Sequence, residues 1–283
     1  MKKALLIAFM TTMTTLAWGE RFTDHIHSVS EGKNGAEHLV MLSSGRVVFI
    51  DQGISPDFDL SEFQAGERVE LEVDDKLTLM SITSLPPTET PQENMSFQGP
   101  EFLQDPTVLP DYSSAKRIFN GMNRSYKKKT ECSDRAHVWS YEEWKKHGLI
   151  SNKVFLFFTN TYIRKYRFYW WFHVSPYTLI RENGKVVENV LDRRYTGYPY
   201  HMKNWTDVFI RSKKSCPVKT YAHYRANKNG PEHCFLVKTS MYYRLPYHVR
   251  MMEDNGVIKT RFSTSEVNFS YRAFTRRGAR KLD

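Results

Sequence analysis

The stretch Thr130-Glu131-Cys132-Ser133-Asp134-Arg135-Ala136-His137 is followed by His173, forty-one residues after the cysteine, and by Asp192, nineteen residues after that histidine. A thiol, an imidazole and a carboxylate can together perform nucleophilic acyl transfer. A cysteine that opens a helix has its thiolate stabilised by free backbone N–H groups and the positive end of the dipole, which lowers its pKa. A histidine on a neighbouring strand can hold that thiolate and later protonate a departing amine. An aspartate on the next strand can bond the far imidazole nitrogen and fix the ring. Each residue also has a plainer reading. A lone cysteine at a helix start is usually a small buried apolar side chain, and a lone histidine in an aromatic strand is usually a satisfied core residue. Asp192, ahead of Arg193 and Arg194, also suits a strand-end turn.

The chemistry therefore depends on the elements that carry it. A helix is predicted over 113–122, with Ala115, Ile118 and Phe119 on one face. A second runs from Cys132 to about Trp144 and stops near Gly148, with Asp134 early and Lys145, Lys146 and His147 late, as the dipole favours. Strands follow over 153–159, 165–174, 177–181 and 185–191, the last two joined by an Asn183-Gly184 hairpin turn. A short helix is predicted at Trp205, then strands over 217–224 and 235–243, with a solvated tail from Thr275. Helix first and sheet after gives an α+β core.

The N-terminal part reads differently. After Lys2 and Lys3 comes an apolar run, 4–10, and then Ala17 and Gly19 at the small-residue positions of a cleavage site, so residues 1–19 are expected to be a signal peptide. That run is far shorter than a membrane span, and no stable membrane insertion is expected. Residues 20–85 read as a small all-β module, with strands over 38–42, 46–50, 68–73 and 76–82. Residues 86–110 hold six prolines and no apolar period, a linker or draped segment, which leaves 111–283 as the catalytic domain. Residues 20–112 carry 5 Lys and Arg against 18 Asp and Glu, a net of −13; residues 113–283 carry 34 against 13, a net of +21. Opposed charges of this size favour docking of the acidic module on the basic domain. Nucleic acid is not expected as a partner, because no binding motif accompanies the basic charge. Of three cysteines, Cys216 and Cys234 lie 18 residues apart among turn residues and are expected to pair, leaving Cys132 free; zinc on Cys216, Cys234 and His233 lacks the usual ligand spacing. No cofactor or metal is expected.

A helix bearing cysteine beside antiparallel strands bearing histidine and aspartate is the papain and transglutaminase arrangement. The Cys-x-x-Arg-Ala-His run at 132–137, His-Val-x-Pro at 173–176, Val-Leu-Asp at 190–192 and the later Trp205 resemble the bacterial protein glutaminases over roughly residues 113–250. The Arg193-Arg194 pair and the aromatic run 166–172 depart from the common pattern, which bears on substrate choice. The resemblance implies a transglutaminase-related α+β fold and hydrolysis of protein-bound glutamine to glutamate and ammonia, with Cys132 as nucleophile, His173 as general acid/base and Asp192 as orienting group. The leader makes the protein an exported one, periplasmic or secreted, and a monomer is expected; the resemblance makes proteins with exposed glutamine its substrates and residues 20–85 a candidate pro-region. The triad alone equally suits a cysteine peptidase, amidase or transglutaminase. A different class also fits the charge: a non-catalytic basic module binding anionic envelope polymers or proteins.

Overall fold

The computed structural model describes residues 19–31, 37–51, 63–86, 105–123 and 130–276. The expected leader, up to residue 18, and most of the Pro-rich stretch, 87–104, lie outside the described residues, as does the tail from 277. The remainder is a mixed fold of two sheets and seven helices.

The N-terminal sheet contains β1 (Glu20–Ser30), β2 (Glu37–Leu42), β3 (Val47–Asp51), β4 (Arg68–Val73) and β5 (Leu79–Ser84), in the order β3-β2-β1-β4-β5. All neighbours are antiparallel. The central strand β1 gives its first half to β4 and its second half to β2, with an irregularity between Ile26 and Ser28 where it changes partner. A bond from the Phe49 N–H to the Leu77 carbonyl draws the two edges together around Ile26, Val40, Leu42, Val48, Val69 and Leu71. No period-2 alternation announces β1, because Phe22, Ile26 and Val29 are unevenly spaced. The strand expected over 76–82 begins only at Leu79. Asp74 Oδ1 accepts from the Lys76 and Thr78 N–H groups at 2.9 and 2.7 Å, and Leu77 is left-handed at φ 62°, so the turn extends further than the Asp74-Asp75 pair suggests.

The second sheet has the order β10-β9-β8-β7-β11: β10 (Tyr200–His201), β9 (Lys185–Val190), β8 (Phe172–Glu182), β7 (Asn152–Phe158) and β11 (Cys234–Thr239). A short strand, β6 (Val108–Leu109), runs parallel to β8. Helix α1 (Tyr112–Gly121) starts where the Asp111 side chain accepts from the Ser114 N–H at 2.7 Å. Helix α2 (Cys132–His147) stops at Gly148, whose φ of 62° ends it in the left-handed cap glycine favours. Between them, α1 and α2 cover Ile180 and Leu191 with Ala115, Phe119, Val138 and Trp139.

Two predicted strands overlap helices in part. Within 165–174 the chain first finishes α3 (Asn160–Tyr166), which the Thr159 hydroxyl caps by accepting from the Tyr162 N–H, and β8 starts only at Phe172. Within 217–224 it forms the start of α5 (Tyr221–Asn227), capped by Thr220. Aromatic side chains suggested strands at both places; the Thr220 cap takes Tyr221 and Tyr224 into a helix, whereas of the run 166–172 only Tyr166 is helical and Phe172 keeps its strand. Pro176 does not divide the sheet strand; β8 runs through it. Helix α4 (Met202–Phe209) begins three residues before Trp205, and α6 (Pro246–Asn255) and α7 (Thr264–Arg276) were not anticipated. Cys216 and Cys234 form a disulfide at the start of β11.

The sheets meet along a seam. The Val47 N–H donates to the Tyr169 carbonyl at 2.8 Å, the Trp171 N–H to Gly45 at 3.0 Å, and the Trp171 indole N–H to Leu42 at 2.8 Å. Leu39, Met41, Val47 and Phe49 share one core with Phe155, Phe157, Trp171 and Phe172. At φ 97°, with the Phe172 ring 3.0 Å from where a Cβ would stand, position 45 has room only for glycine. An ion pair joins Arg167 to Glu37.

Candidate active site

Cys132 is the first residue of α2, the one free cysteine among the described residues, and almost wholly buried. The first-turn N–H groups of a helix have no intrahelical partner, so its thiol sits beside ready-made donors. The backbone N–H of Val174, the residue after His173, also favours the thiolate. His173 enters from β8, and its Nε2 lies 2.6 Å from Asp192 Oδ2. Asp192 follows β9, and the same oxygen accepts the Trp205 indole N–H at 2.9 Å from α4. The other ring nitrogen of His173, Nδ1, is buried and has no hydrogen-bond partner among the described residues.

Four aromatic rings enclose the imidazole. Phe209 lies 4.5 Å away between centroids, Tyr195 meets it edge-on at 5.1 Å, and Trp205 is tilted at 5.7 Å. Trp170 stacks on it from the loop before β8. One helical turn past Cys132, the buried Arg135 guanidinium donates to the Thr130 carbonyl and hydroxyl and lies 5.9 Å from the Tyr195 ring centre.

Burial dominates the protonation states. It pushes the Cys132 thiol up to about 12, against the lowering effects of Arg135 and the Val174 N–H. It also holds His173 below its ordinary value, although the Asp192 carboxylate pulls the other way. Burial would raise Asp192, but the charge and hydrogen bond of His173, the Trp205 N–H and Arg135 outweigh it and leave its carboxyl below the usual range. The resting arrangement is thus a neutral thiol, a neutral imidazole and an ionised carboxylate. In that state Nε2 carries the proton given to Asp192, and Nδ1 presents a lone pair.

Behind α2 the chain's later elements hold the helix. Arg244 donates to Asp134 Oδ1 through Nε and Nη2 at 3.0 and 2.8 Å, and the Ser270 hydroxyl donates to the same oxygen at 3.0 Å. His137 Nδ1 meets Lys153 Nζ at 2.8 Å, with Glu266 on its other side.

The structure therefore brings Cys132, the His173 strand and Asp192 into one buried centre. Sequence reasoning gave no role to Arg135, Trp170, Tyr195 or the indole of Trp205. For Arg135 a signal existed, since three residues along a helix returns to the same face. The rings come from three separate loops and helices, and no local pattern ties them together. Arg193 proves structural, donating to the Phe119 carbonyl.

Residues 112–209 match a Gln-deamidase family model described as Glutaminase. This segment belongs to the glutaminase family. The glutaminase segment runs from α1 to the end of α4 and so contains Cys132, His173, Asp192 and Trp205. Such membership implies an amidohydrolase. Among solved structures, the chain is similar to the A47Q2 mutant of pro- protein-glutaminase at 12% identity, over 80% of this chain and 85% of that one, with a TM-score of 0.50. It is also similar to pro- protein-glutaminase (12% identity, 80% and 84% covered, TM-score 0.45) and to protein-glutaminase from Chryseobacterium proteolyticum (14%, 58% and 85%, TM-score 0.38). For the first of these, at 12% identity and a TM-score of 0.50, the likeness is one of fold. A search of curated proteins finds no match.

Proposed function

We propose that this glutaminase is a protein-glutamine deamidase that works through Cys132, His173 and Asp192 in a papain- and transglutaminase-like core. The observation that carries the reading is the polarity of His173, with one nitrogen bonded to a carboxylate and the other buried and unsatisfied. Leaving a buried acceptor without a partner costs on the order of 1–3 kcal/mol, a cost that a proton-transfer role explains.

In the mechanism, His173 Nδ1 takes the Cys132 proton as the sulfur attacks the glutamine carboxamide carbon. The oxyanion forms beside the Cys132 backbone N–H at the start of α2. Collapse expels ammonia, which receives the proton from Nδ1–H and leaves a thioester on Cys132. Water then loses a proton to Nδ1 and attacks the thioester, giving glutamate and the free thiol. Asp192, held by Trp205, stabilises the imidazolium in both halves. Arg135 offsets the cost of a buried thiolate.

The family favours a side-chain amide, because the triad chemistry alone is shared with peptidases and transglutaminases. The N-terminal sheet is proposed as a removable cover and the chain as exported. The disulfide fits an oxidising compartment, and no helix among the described residues is long and apolar enough to cross a membrane.

The decisive assay sets wild type beside Cys132→Ala on a casein-like protein. Ammonia release with conversion of Gln to Glu, lost in the variant, is the expected result. New peptide N-termini would make the enzyme a peptidase, and amine incorporation a transglutaminase. Equal ammonia release from both proteins would reject the nucleophile.

A further inference from the structure

A cavity of about 130 Å³ lies in the seam, far from the acyl-transfer chemistry in charge and composition. Its walls come from the N-terminal sheet and from loops and helices of the second part. The N-terminal sheet gives His27 from β1, and the second part gives Trp171, Tyr221, Arg225, Lys228 and Arg250. Three cations line it, and no carboxylate does.

The nearby acids are committed elsewhere. Asp254 on α6 pairs with Arg225. Glu253 accepts the Tyr221 and Ala222 N–H groups at the start of α5, both at 2.6 Å. Lys228 and Arg250 have no ion-pair partner among the described residues, and Lys228 is further opposed by Arg164. Their field is felt across the cavity: burial, and then Lys228 and Arg250, push His27 down to about 4. Neutral at ordinary pH, His27 stacks on Trp171 at 4.2 Å and faces the Tyr221 hydroxyl at 3.3 Å.

We propose that this seam cavity binds a small tetrahedral oxyanion, a phosphate or sulfate group, which Lys228 and Arg250 hold. Unpaired cations in a half-buried apolar frame are costly until an anion completes them. Arginine's planar fork suits a tetrahedral oxyanion, and lysine adds a point charge. The volume equals that of about four liquid waters, enough for one such group with bridging water. Because the walls come from both parts, the bound anion fastens the N-terminal sheet to the second part.

The test is calorimetric titration of the full chain with inorganic phosphate at ionic strength held constant with chloride. Binding to one site is expected, weakened at least tenfold in Lys228→Gln and in Arg250→Gln and kept in Lys228→Arg. It should be matched by a phosphate-dependent rise in melting temperature. Sulfate should compete and acetate should bind much more weakly. Glycerol phosphate separates the sources: binding equal to inorganic phosphate marks the phosphoryl group of a larger molecule, and exclusion marks the free ion. Should a neutral variant fail to fold, wild type still decides, because phosphate but not chloride should protect Lys228 from acylation, read by peptide mass. No saturable binding, unchanged affinity in the folded variants, acetate equal to phosphate, or an unprotected Lys228 would overturn the proposal.

Discussion

The indole of Trp170 lies nearly parallel to the imidazole of His173, with centroids 5.6 Å apart and planes 15° from each other. The residues flanking that indole are tied to the N-terminal sheet by the Val47–Tyr169 and Gly45–Trp171 main-chain bonds. The N-terminal sheet therefore reaches the His173 imidazole through one ring. Removing the ring in Trp170→Ala should admit water to His173. Burial is the main cause that holds its pKa down, so the value should rise toward the ordinary 6.5. The base must be neutral to act, and the acidic limb of kcat/KM should therefore move to higher pH. A profile superimposable on that of wild type would show that the stack does not set the pKa.

Trp205→Phe keeps the ring but removes the proton given to Asp192 Oδ2. A hydrogen bond to a charged group contributes about 1.5–3 kcal/mol, and its loss should lower kcat by roughly tenfold or more with KM little changed. Steady-state kinetics separate this from a substrate-binding role, in which KM would rise instead.

The site was legible in sequence where its logic is local. Cys132 with a helix ahead of it, and Asn183-Gly184 with φ values of 49° and 76° closing the hairpin between β8 and β9, are short-range patterns that the fold keeps. What escaped is long-range. Trp170 and Tyr195 meet His173 only because distant loops converge. β1 is central through its neighbours, since its own side chains show no alternation. The threonine cap at Thr220 took the aromatic stretch with Tyr221 and Tyr224 into a helix, a preference of about 1 kcal/mol that outweighed strand propensity.

Net charges of −13 and +21 suggested an electrostatic clasp between the two parts. The seam rests on main-chain bonds and ring packing, with Glu37–Arg167 as an ion pair exposed enough to be worth little. A chain of residues 111–283 is expected to be more active than 20–283. The restraint in the longer chain should persist on raising salt to about 0.5 M, where surface charge is screened. Ammonia assays across a salt series check this. Release by salt alone would return the weight to charge.

Asp134 is two residues from the nucleophile and nearly inaccessible, and it accepts from Arg244 and Ser270. Arg244→Ala leaves that carboxylate buried with only one of these donors, so a loss of about 3–5 kcal/mol in unfolding free energy is expected. The double variant Arg244→Leu with Asp134→Leu should lose less than the sum of the singles. Urea denaturation measures both, and additivity would show that the pair does not act as a unit.

The same contact sets an order in time. Arg244 and Ser270 leave a ribosome more than a hundred residues after Cys132. The helix that carries Cys132 is therefore unfastened until Arg244 and Ser270 have emerged, and only then gains its rear support. A polypeptide truncated by a premature stop before Arg244 would carry Cys132, His173 and Asp192 and still lack the contacts that brace the Cys132 helix through Asp134.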